Sequence, residues 1–213
     1  MQINILLVGE AYSSNLGDGV ICETVNSLIK DKFLGAKVDV LDLSFRRNFL
    51  KYDIQNKNDL QTPLSTKKVI FYKLLKLLYS NDLGEYALKK REIEKNKKEL
   101  NNIFLKKYDL CIFAGGSLFM DYFCVPIAKR IKIMEKNKVP VMFNACGISE
   151  NKNIFFRWTM KNALQSSAVK SISLRDGYDD FIKRYKYKGK IDKTYDLAIN
   201  CSSIYHVHRD YDS

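Results

Sequence analysis

Several residue types that define special classes of protein are scarce in this chain of 213 residues. It has three prolines, ten glycines and two histidines, so neither a collagen-like nor a low-complexity chain is plausible. The five cysteines are scattered singly, and we expect them to be reduced residues of the core. No apolar run approaches the roughly 18 residues that a transmembrane helix requires. The 46% of hydrophobic residues is enough to build a folded core.

Positive charge exceeds negative charge. The chain has 36 lysines and arginines against 24 aspartates and glutamates, a formal net charge of +12. This excess favours anionic partners, but no nucleic-acid-binding motif is present and we expect no nucleic-acid partner. The apolar run at the start is too short and too lightly charged for a signal peptide. We therefore expect a cytoplasmic protein, with peripheral contact to the acidic inner face of the membrane.

Apolar runs of strand length alternate with segments of helical spacing. This alternation predicts an α/β fold, a Rossmann-like parallel sheet with helices on both faces. We expect a single domain over residues 1–213, with an irregular surface excursion at 46–66 and a C-terminal tail at 200–213. The predicted strands are residues 3–8, 38–43, 108–114, 139–144, 169–174 and 190–195.

Two charged helical segments lie between the second and third predicted strands. Residues 69–79 are apolar at helical spacing with interleaved lysines, a pattern that either covers the core or lies on a membrane surface. Residues 85–107 are rich in good helix formers and have a sparse apolar face. They predict one long helix that projects from the domain.

Polar and glycine residues collect where the predicted strands end. Ligands of parallel α/β sheets bind outside the carboxyl ends of the strands, so these residues predict a site for an anion. Glycines permit close backbone approach, and helix amino termini offer free N–H groups. Each motif alone also fits a tight turn or a helix cap, the latter especially for Asp18. The segments are residues 13–18, 115–117, 144–147 and 175–176.

Four short motifs follow one another in a fixed order. They are Asn-Leu-Gly-Asp-Gly-Val-Ile at 15–21, an Asp109-led strand entering Gly-Gly-Ser at 115–117, Ser-Ile-Ser-Leu-Arg-Asp at 171–176 and Asp-Leu-Ala at 196–198. Over residues 3–199 the sequence resembles the polysaccharide pyruvyl transferase family. It departs from the family pattern at Ser117, where a third glycine is usual, at Leu197, where proline is usual, and at 144–147, which keep only the last glycine.

The resemblance implies the fold of the N-terminal half of a B-type glycosyltransferase. Family members have a second Rossmann-like half after the Asp-Pro-Ala segment, which supplies basic residues for phosphoenolpyruvate. This sequence ends near that point, so we expect either a piece of a longer protein or a short member without the usual donor site. The implied reaction transfers a pyruvyl group from phosphoenolpyruvate to a sugar of a cell-surface polysaccharide precursor, forming a pyruvate ketal. The implied partners are phosphoenolpyruvate and a glycan or lipid-linked sugar acceptor, with no cofactor.

Arg175 and Asp18 are the catalytic candidates. A guanidinium suits the carboxylate or phosphate of phosphoenolpyruvate, and the Asp18 carboxylate suits a base or an anchor for an acceptor hydroxyl. The substrate-binding candidates are Asn15, Gly17, Gly115, Gly116, Ser117, Asn144, Gly147 and Asp176.

Two other function classes stay open, a sugar-nucleotide-dependent glycosyltransferase half and a non-catalytic module that binds anions or membranes. A dehydrogenase is disfavoured because the loop after the first strand lacks the GxGxxG spacing. His206 and His208 have no cysteine or carboxylate at a recognised ligand spacing, so no metal site is predicted.

Overall fold

A computed structural model describes residues 2–49 and 81–205 of the protein. The predicted helix at 69–79, most of the predicted excursion and the two histidines lie outside these residues. The described elements are β1 (Asn4–Gly9), α1 (Leu16–Lys32), β2 (Lys37–Asp42), α2 (Asp82–Lys95), α3 (Lys97–Leu105), β3 (Leu110–Phe119), α4 (Asp121–Lys136), β4 (Val141–Ile148), α5 (Ile154–Leu164), β5 (Val169–Leu174), α6 (Tyr178–Tyr185), β6 (Ile191–Lys193) and a 3-10 helix (Leu197–Ser203).

The six strands form one parallel sheet in the order β2-β1-β3-β4-β5-β6. The chain moves from β1 outward to β2 and then returns past β1 to β3, so the strand order reverses between β1 and β3. In open α/β sheets the crevice at such a reversal is the usual ligand site. The predicted Rossmann-like α/β fold is confirmed.

Alternate residues of β1 enter separate cores on the two faces of the sheet. On one face, Ile5 and Leu7 of β1 pack with the buried side of α1. On the other face, Leu6 and Val8 join the larger core formed with α4, α5 and α6. The rings of Phe113 and Phe143 stack in this larger core, with centroids 4.6 Å apart. Helices therefore cover both faces, as predicted.

The prediction of one long projecting helix is wrong. Two helices, α2 and α3, meet at Asn96, whose backbone N–H donates to the carbonyls of Ile93 and Glu94. Ile93, Leu100 and Ile103 are all buried in the larger core. The break at Asn96 allows both helices to turn their few apolar side chains inward, so neither projects.

Two strands run through the glycines that were predicted to end them. β3 continues to Phe119, and Gly116 adopts a φ of +75° where the register between β3 and β4 begins to shift. β4 continues in the same way through Gly147 to Ile148. The turn interpretation of 115–117 is therefore wrong. The reason is burial, because Leu118 and Phe119 after the glycines are both inside the core.

Four of the five cysteines are buried and Cys201 is half-buried, and all five are free thiols. Cys201 lies in the 3-10 helix, which packs against α1 and contains part of the predicted tail. Among the described helices, none is long and apolar enough to cross a membrane.

Candidate functional site

Asp18 lies over the glycine bulge of β3. The cap of α1 is Asn15, whose side chain accepts a hydrogen bond from Gly17 N, so the alternative reading of Asp18 as the cap is wrong. The Asp18 carboxylate instead accepts from Ser13 Oγ at 3.4 Å. Its other oxygen lies 3.0 Å from the point where a Cβ on Gly116 would stand. The first turn of α1 and the bulge of β3 are thus in direct contact.

One guanidinium joins three segments at the carboxyl edge of the sheet. Arg175 follows β5, and its Nε donates to Asp176 Oδ2 at 3.2 Å. Its Nη1 is paired with Asp196 Oδ2, and its Nη2 donates to Ser117 Oγ at 3.4 Å. The Arg175 side chain is 21% exposed, so solvent still reaches it. Arg175 therefore connects the ends of β3 and β5 to the start of the 3-10 helix.

Gly147 provides the space for this ion pair. A Cβ at Gly147 would lie 2.9 Å from Arg175 Nε and 3.0 Å from Asp176 Oδ2. Asp176 also accepts a hydrogen bond from Ile148 N at 2.8 Å, which fixes its carboxylate against β4. Any side chain at position 147 would push Arg175 or Asp176 away. This close approach explains why the residue is a glycine.

Other predicted site residues support the sheet. A Cβ at Gly115 would lie 2.6 Å from a methyl group of Ile21, so this glycine allows α1 to pack closely. Asn144 Oδ1 accepts from Ser173 Oγ at 3.4 Å and joins β4 to β5. Asn15 and Gly17 form the exposed start of α1. The predicted residues that the structure brings together are Asp18, Gly116, Ser117, Gly147, Arg175 and Asp176.

Carboxylates outnumber the guanidinium in this cluster. Asp176 and Asp196 pair with Arg175 and offset its charge, and Asp18 adds a third carboxylate against Gly116. An anion can bind Arg175 by taking the place of one of these carboxylates. The same carboxylates and the Ser117 hydroxyl are suited to hydrogen bonds with the hydroxyl groups of a sugar.

The family model for polysaccharide pyruvyl transferase matches residues 15–212, which include all six clustered residues. The chain belongs to the polysaccharide pyruvyl transferase family. It is thus a member of a transferase family, and the family resemblance of its motifs is confirmed. Comparison with curated proteins and with solved structures found no match.

This pyruvyl transferase family member also contains a buried ionic network beside the site. The Asp42 carboxylate at the end of β2 accepts from the backbone N–H of Tyr12 at 2.9 Å and of Ser44 at 2.8 Å, and from Arg46 Nε at 3.2 Å. Arg46 also pairs with Glu10, and burial raises the pKa of Glu10 above its ordinary value. Because Tyr12 directly precedes Ser13, this network fixes the loop that leads to Asp18.

Three residues that were not individual candidates also shape the site, and one of them, Ser13, lies in the predicted segment 13–18. Asp196 begins the Asp-Leu-Ala motif at 196–198, but the motif gives no sign of its pairing with Arg175. Ser13 supports Asp18 and also accepts from Asn15 N. Gly177 has a φ of +61° and its Cβ would lie 1.6 Å from Ile148, so only glycine fits there. The Asp-Gly pair before a helix was the available signal for Gly177.

Within 2–49 and 81–205, no three His, Cys, Asp or Glu side chains are grouped to hold a metal ion.

Proposed function

We propose that this protein transfers the pyruvyl unit of phosphoenolpyruvate to two hydroxyls of one sugar in a cell-surface polysaccharide precursor. The product is a pyruvate ketal. Family membership supports pyruvyl transfer in general. The observation that carries the more specific proposal is the cluster of Asp18, Ser117 and Arg175 at the edge where the strand order reverses.

The reaction can be balanced with these two substrates alone. A proton adds to the methylene carbon of phosphoenolpyruvate, and the central carbon accepts the first sugar hydroxyl. Phosphate then leaves with its C–O bond electrons, and the second hydroxyl adds to the same carbon. Of the two hydroxyl protons, one balances the new methyl group and the other leaves with phosphate. The chemistry therefore needs a base for the hydroxyls and a cation for the anionic donor.

Asp18 is our candidate for the base. Its carboxylate pairs with no cation among the described residues and is supported by the Ser13 hydroxyl alone. A carboxylate without a cationic partner has lone pairs available to accept a hydrogen bond from a sugar hydroxyl. Asp176 and Ser117, which both contact Arg175, would orient the sugar through hydrogen bonds. We therefore assign the acceptor to the space between Asp18 and Arg175.

Arg175 is our candidate for binding the donor. The phosphate or carboxylate of phosphoenolpyruvate would replace Asp196 on Nη1, because Asp196 pairs with the guanidinium through one oxygen alone and a phosphate or carboxylate can bind it through two. The net charge around Arg175 changes little in this exchange, since one anion leaves as another arrives. In this proposal Asp196 holds Arg175 in place until the donor binds.

Calorimetry and a phosphate-release assay test the proposal together. We expect phosphoenolpyruvate to bind the natural sequence and Arg91→Ala, an exposed arginine of α2, but not Arg175→Ala. We expect Asp18→Asn to bind the donor normally and to release phosphate at least tenfold more slowly when a glycan acceptor is present. Binding of a nucleotide sugar in place of phosphoenolpyruvate would instead support the glycosyltransferase alternative and refute the proposal.

A further inference from the structure

The outer face of α5 combines exposed apolar side chains with cations. Ile154 is 54% exposed and Trp158 is 63% exposed, and their spacing of four residues places them on the same side of the helix. Arg157 and Lys161 form a second row beside them at the same spacing. In the part of the chain that the structure describes, neither cation is in an ion pair, and α5 has no acidic residue.

The other side of α5 is firmly attached to the domain. Phe156, Met160 and Leu164 are buried in the larger core. The N-cap Asn153 accepts from the first backbone N–H groups of the helix, and its amide donates to the carbonyl of Asp82 at 2.8 Å. The exposure of Trp158 is therefore not a result of a frayed helix.

We propose that this outer face, formed by Ile154, Arg157, Trp158 and Lys161, binds the surface of an anionic lipid bilayer. Tryptophan and aliphatic side chains favour the boundary between headgroups and acyl chains, and neighbouring Lys and Arg attract acidic headgroups. The net charge of +12 strengthens this attraction. A second copy of the chain fits less well, because a two-fold contact would bring the same cations of both copies together.

The position of α5 connects this surface to the candidate site. The helix begins six residues after β4 ends, at the carboxyl edge where Gly147 contacts Arg175. A docked α5 would hold this edge close to the headgroups, where a lipid-linked sugar is presented. This last link depends on the proposed function, whereas the binding of lipid does not.

Trp158 is the single tryptophan of the chain, so its fluorescence reports on this surface alone. The probe is a vesicle of phosphatidylcholine and phosphatidylglycerol in equal parts, compared with a vesicle of pure phosphatidylcholine. We expect the anionic vesicle to shift the emission to shorter wavelength, and brominated lipid to quench it. We expect neither change with pure phosphatidylcholine, and a weaker shift at high salt.

Two double variants that remove the same charge decide whether α5 is responsible for vesicle binding. Each basic residue near an anionic bilayer contributes about a fivefold factor in binding, so Arg157→Gln with Lys161→Gln should weaken vesicle binding about 25-fold. Lys30→Gln with Lys32→Gln removes the same charge from exposed positions of α1, on the opposite face of the sheet, and should weaken it much less.

Three results would overturn the proposal. Equal losses in the two double variants would mean that the overall charge, and not α5, attracts the vesicle. Sedimentation with vesicles while the Trp158 emission stays unchanged would place the contact on another face. An emission shift that follows protein concentration without lipid would identify a second copy as the occupant. Donor binding measured by calorimetry without lipid is unaffected by any of them, so failure here is distinct from failure of the proposed function.

Discussion

Arg175 is paired with Asp196, and the same aspartate caps the 3-10 helix by accepting from Ala198 N at 2.9 Å. The two contacts use different oxygens of Asp196, Oδ2 for the ion pair and Oδ1 for the cap. The carboxylate therefore connects the candidate donor-binding group to the segment that packs on α1. The substitution Asp196→Asn separates these two roles, because the amide keeps a carbonyl oxygen for the cap and loses the charge.

We expect Asp196→Asn to bind phosphoenolpyruvate about fivefold more tightly. The donor would no longer compete with a carboxylate for Arg175, and a partly exposed ion pair contributes about 1 kcal/mol. Calorimetry measures the affinity. Asp192→Asn removes an exposed carboxylate that pairs with Lys190 and should change nothing. Weaker donor binding in Asp196→Asn would show that the carboxylate positions Arg175 and does not compete with the donor.

Gly116→Ala should slow phosphate release at least tenfold. Alanine at a φ of +75° costs about 1–2 kcal/mol, and the new Cβ would meet the Asp18 carboxylate. Gly35→Ala is the matched control, because Gly35 has a φ of +79° and nothing lies within 4 Å of its Cβ position. Both variants should lose the stability that the positive φ costs an alanine, and Gly116→Ala alone should lose activity. Equal activity in the two variants would show that Asp18 takes no part in the reaction.

Glu10 and Asp39 should give opposite dependences of stability on pH. Burial, the largest cause, raises the pKa of Glu10 above 4.5, so its contribution to stability is present below pH 4.5 and is lost as the pH rises through the folded value. The hydrogen bond from Lys106, the largest cause, lowers the pKa of Asp39 below 3.8. The contribution of Asp39 is therefore present above pH 3.8 and is lost as the pH falls.

Urea unfolding at a series of acid pH values tests the predictions for Glu10 and Asp39. Relative to the natural sequence, Glu10→Gln should gain stability as the pH rises above 4.5. Relative to the natural sequence, Asp39→Asn should lose stability as the pH rises from below the folded pKa of Asp39 to its unfolded value of 3.8. A variant whose difference from the natural sequence does not change with pH would show that its carboxyl group has the same pKa in the folded and unfolded chain.

Much of the fold could be predicted because burial leaves a pattern in the sequence. β5 was predicted residue for residue, since Val169–Leu174 combines a strand-length run with a clear following polar segment. The ends of β3 and β4 could not be predicted, because glycine indicates a turn while the bulge at Gly116 is allowed by the burial of later residues. The break at Asn96 likewise depends on packing against the core, and local helix propensity does not encode it.

The site was predicted in part for the same reason. Parallel strands bring their carboxyl ends to one edge, so Asp18, Gly116 and Arg175 could be placed together from the order of elements alone. The partners of Arg175 could not, because Asp196 lies 21 residues further along the chain and reaches Arg175 only after β6 has paired with β5. Arg175, which we expected to be a free cation, is therefore paired with two carboxylates.

Arg130 supports the loop network from inside the core. Its guanidinium is fully buried, donates from Nη2 to the carbonyls of Asp42 at 3.1 Å and Leu43 at 3.2 Å, and lies 4.5 Å from the centre of the Phe45 ring. Arg130→Met should cost about 2–3 kcal/mol in urea unfolding, since the three buried carbonyls of Asp42, Leu43 and Pro126 lose their donor. It should also slow phosphate release, because Asp42 holds the backbone of Tyr12.

Arg130→Lys provides the comparison for this prediction. An ammonium keeps the charge and one donor but cannot reach in the two directions that the guanidinium spans, so Arg130→Lys should also be less stable than the natural sequence. If Arg130→Met is as stable as the natural sequence, the desolvation of the guanidinium costs as much as its hydrogen bonds contribute. In that case a loss of activity in Arg130→Met would isolate its positioning effect on Asp42 from its effect on folding.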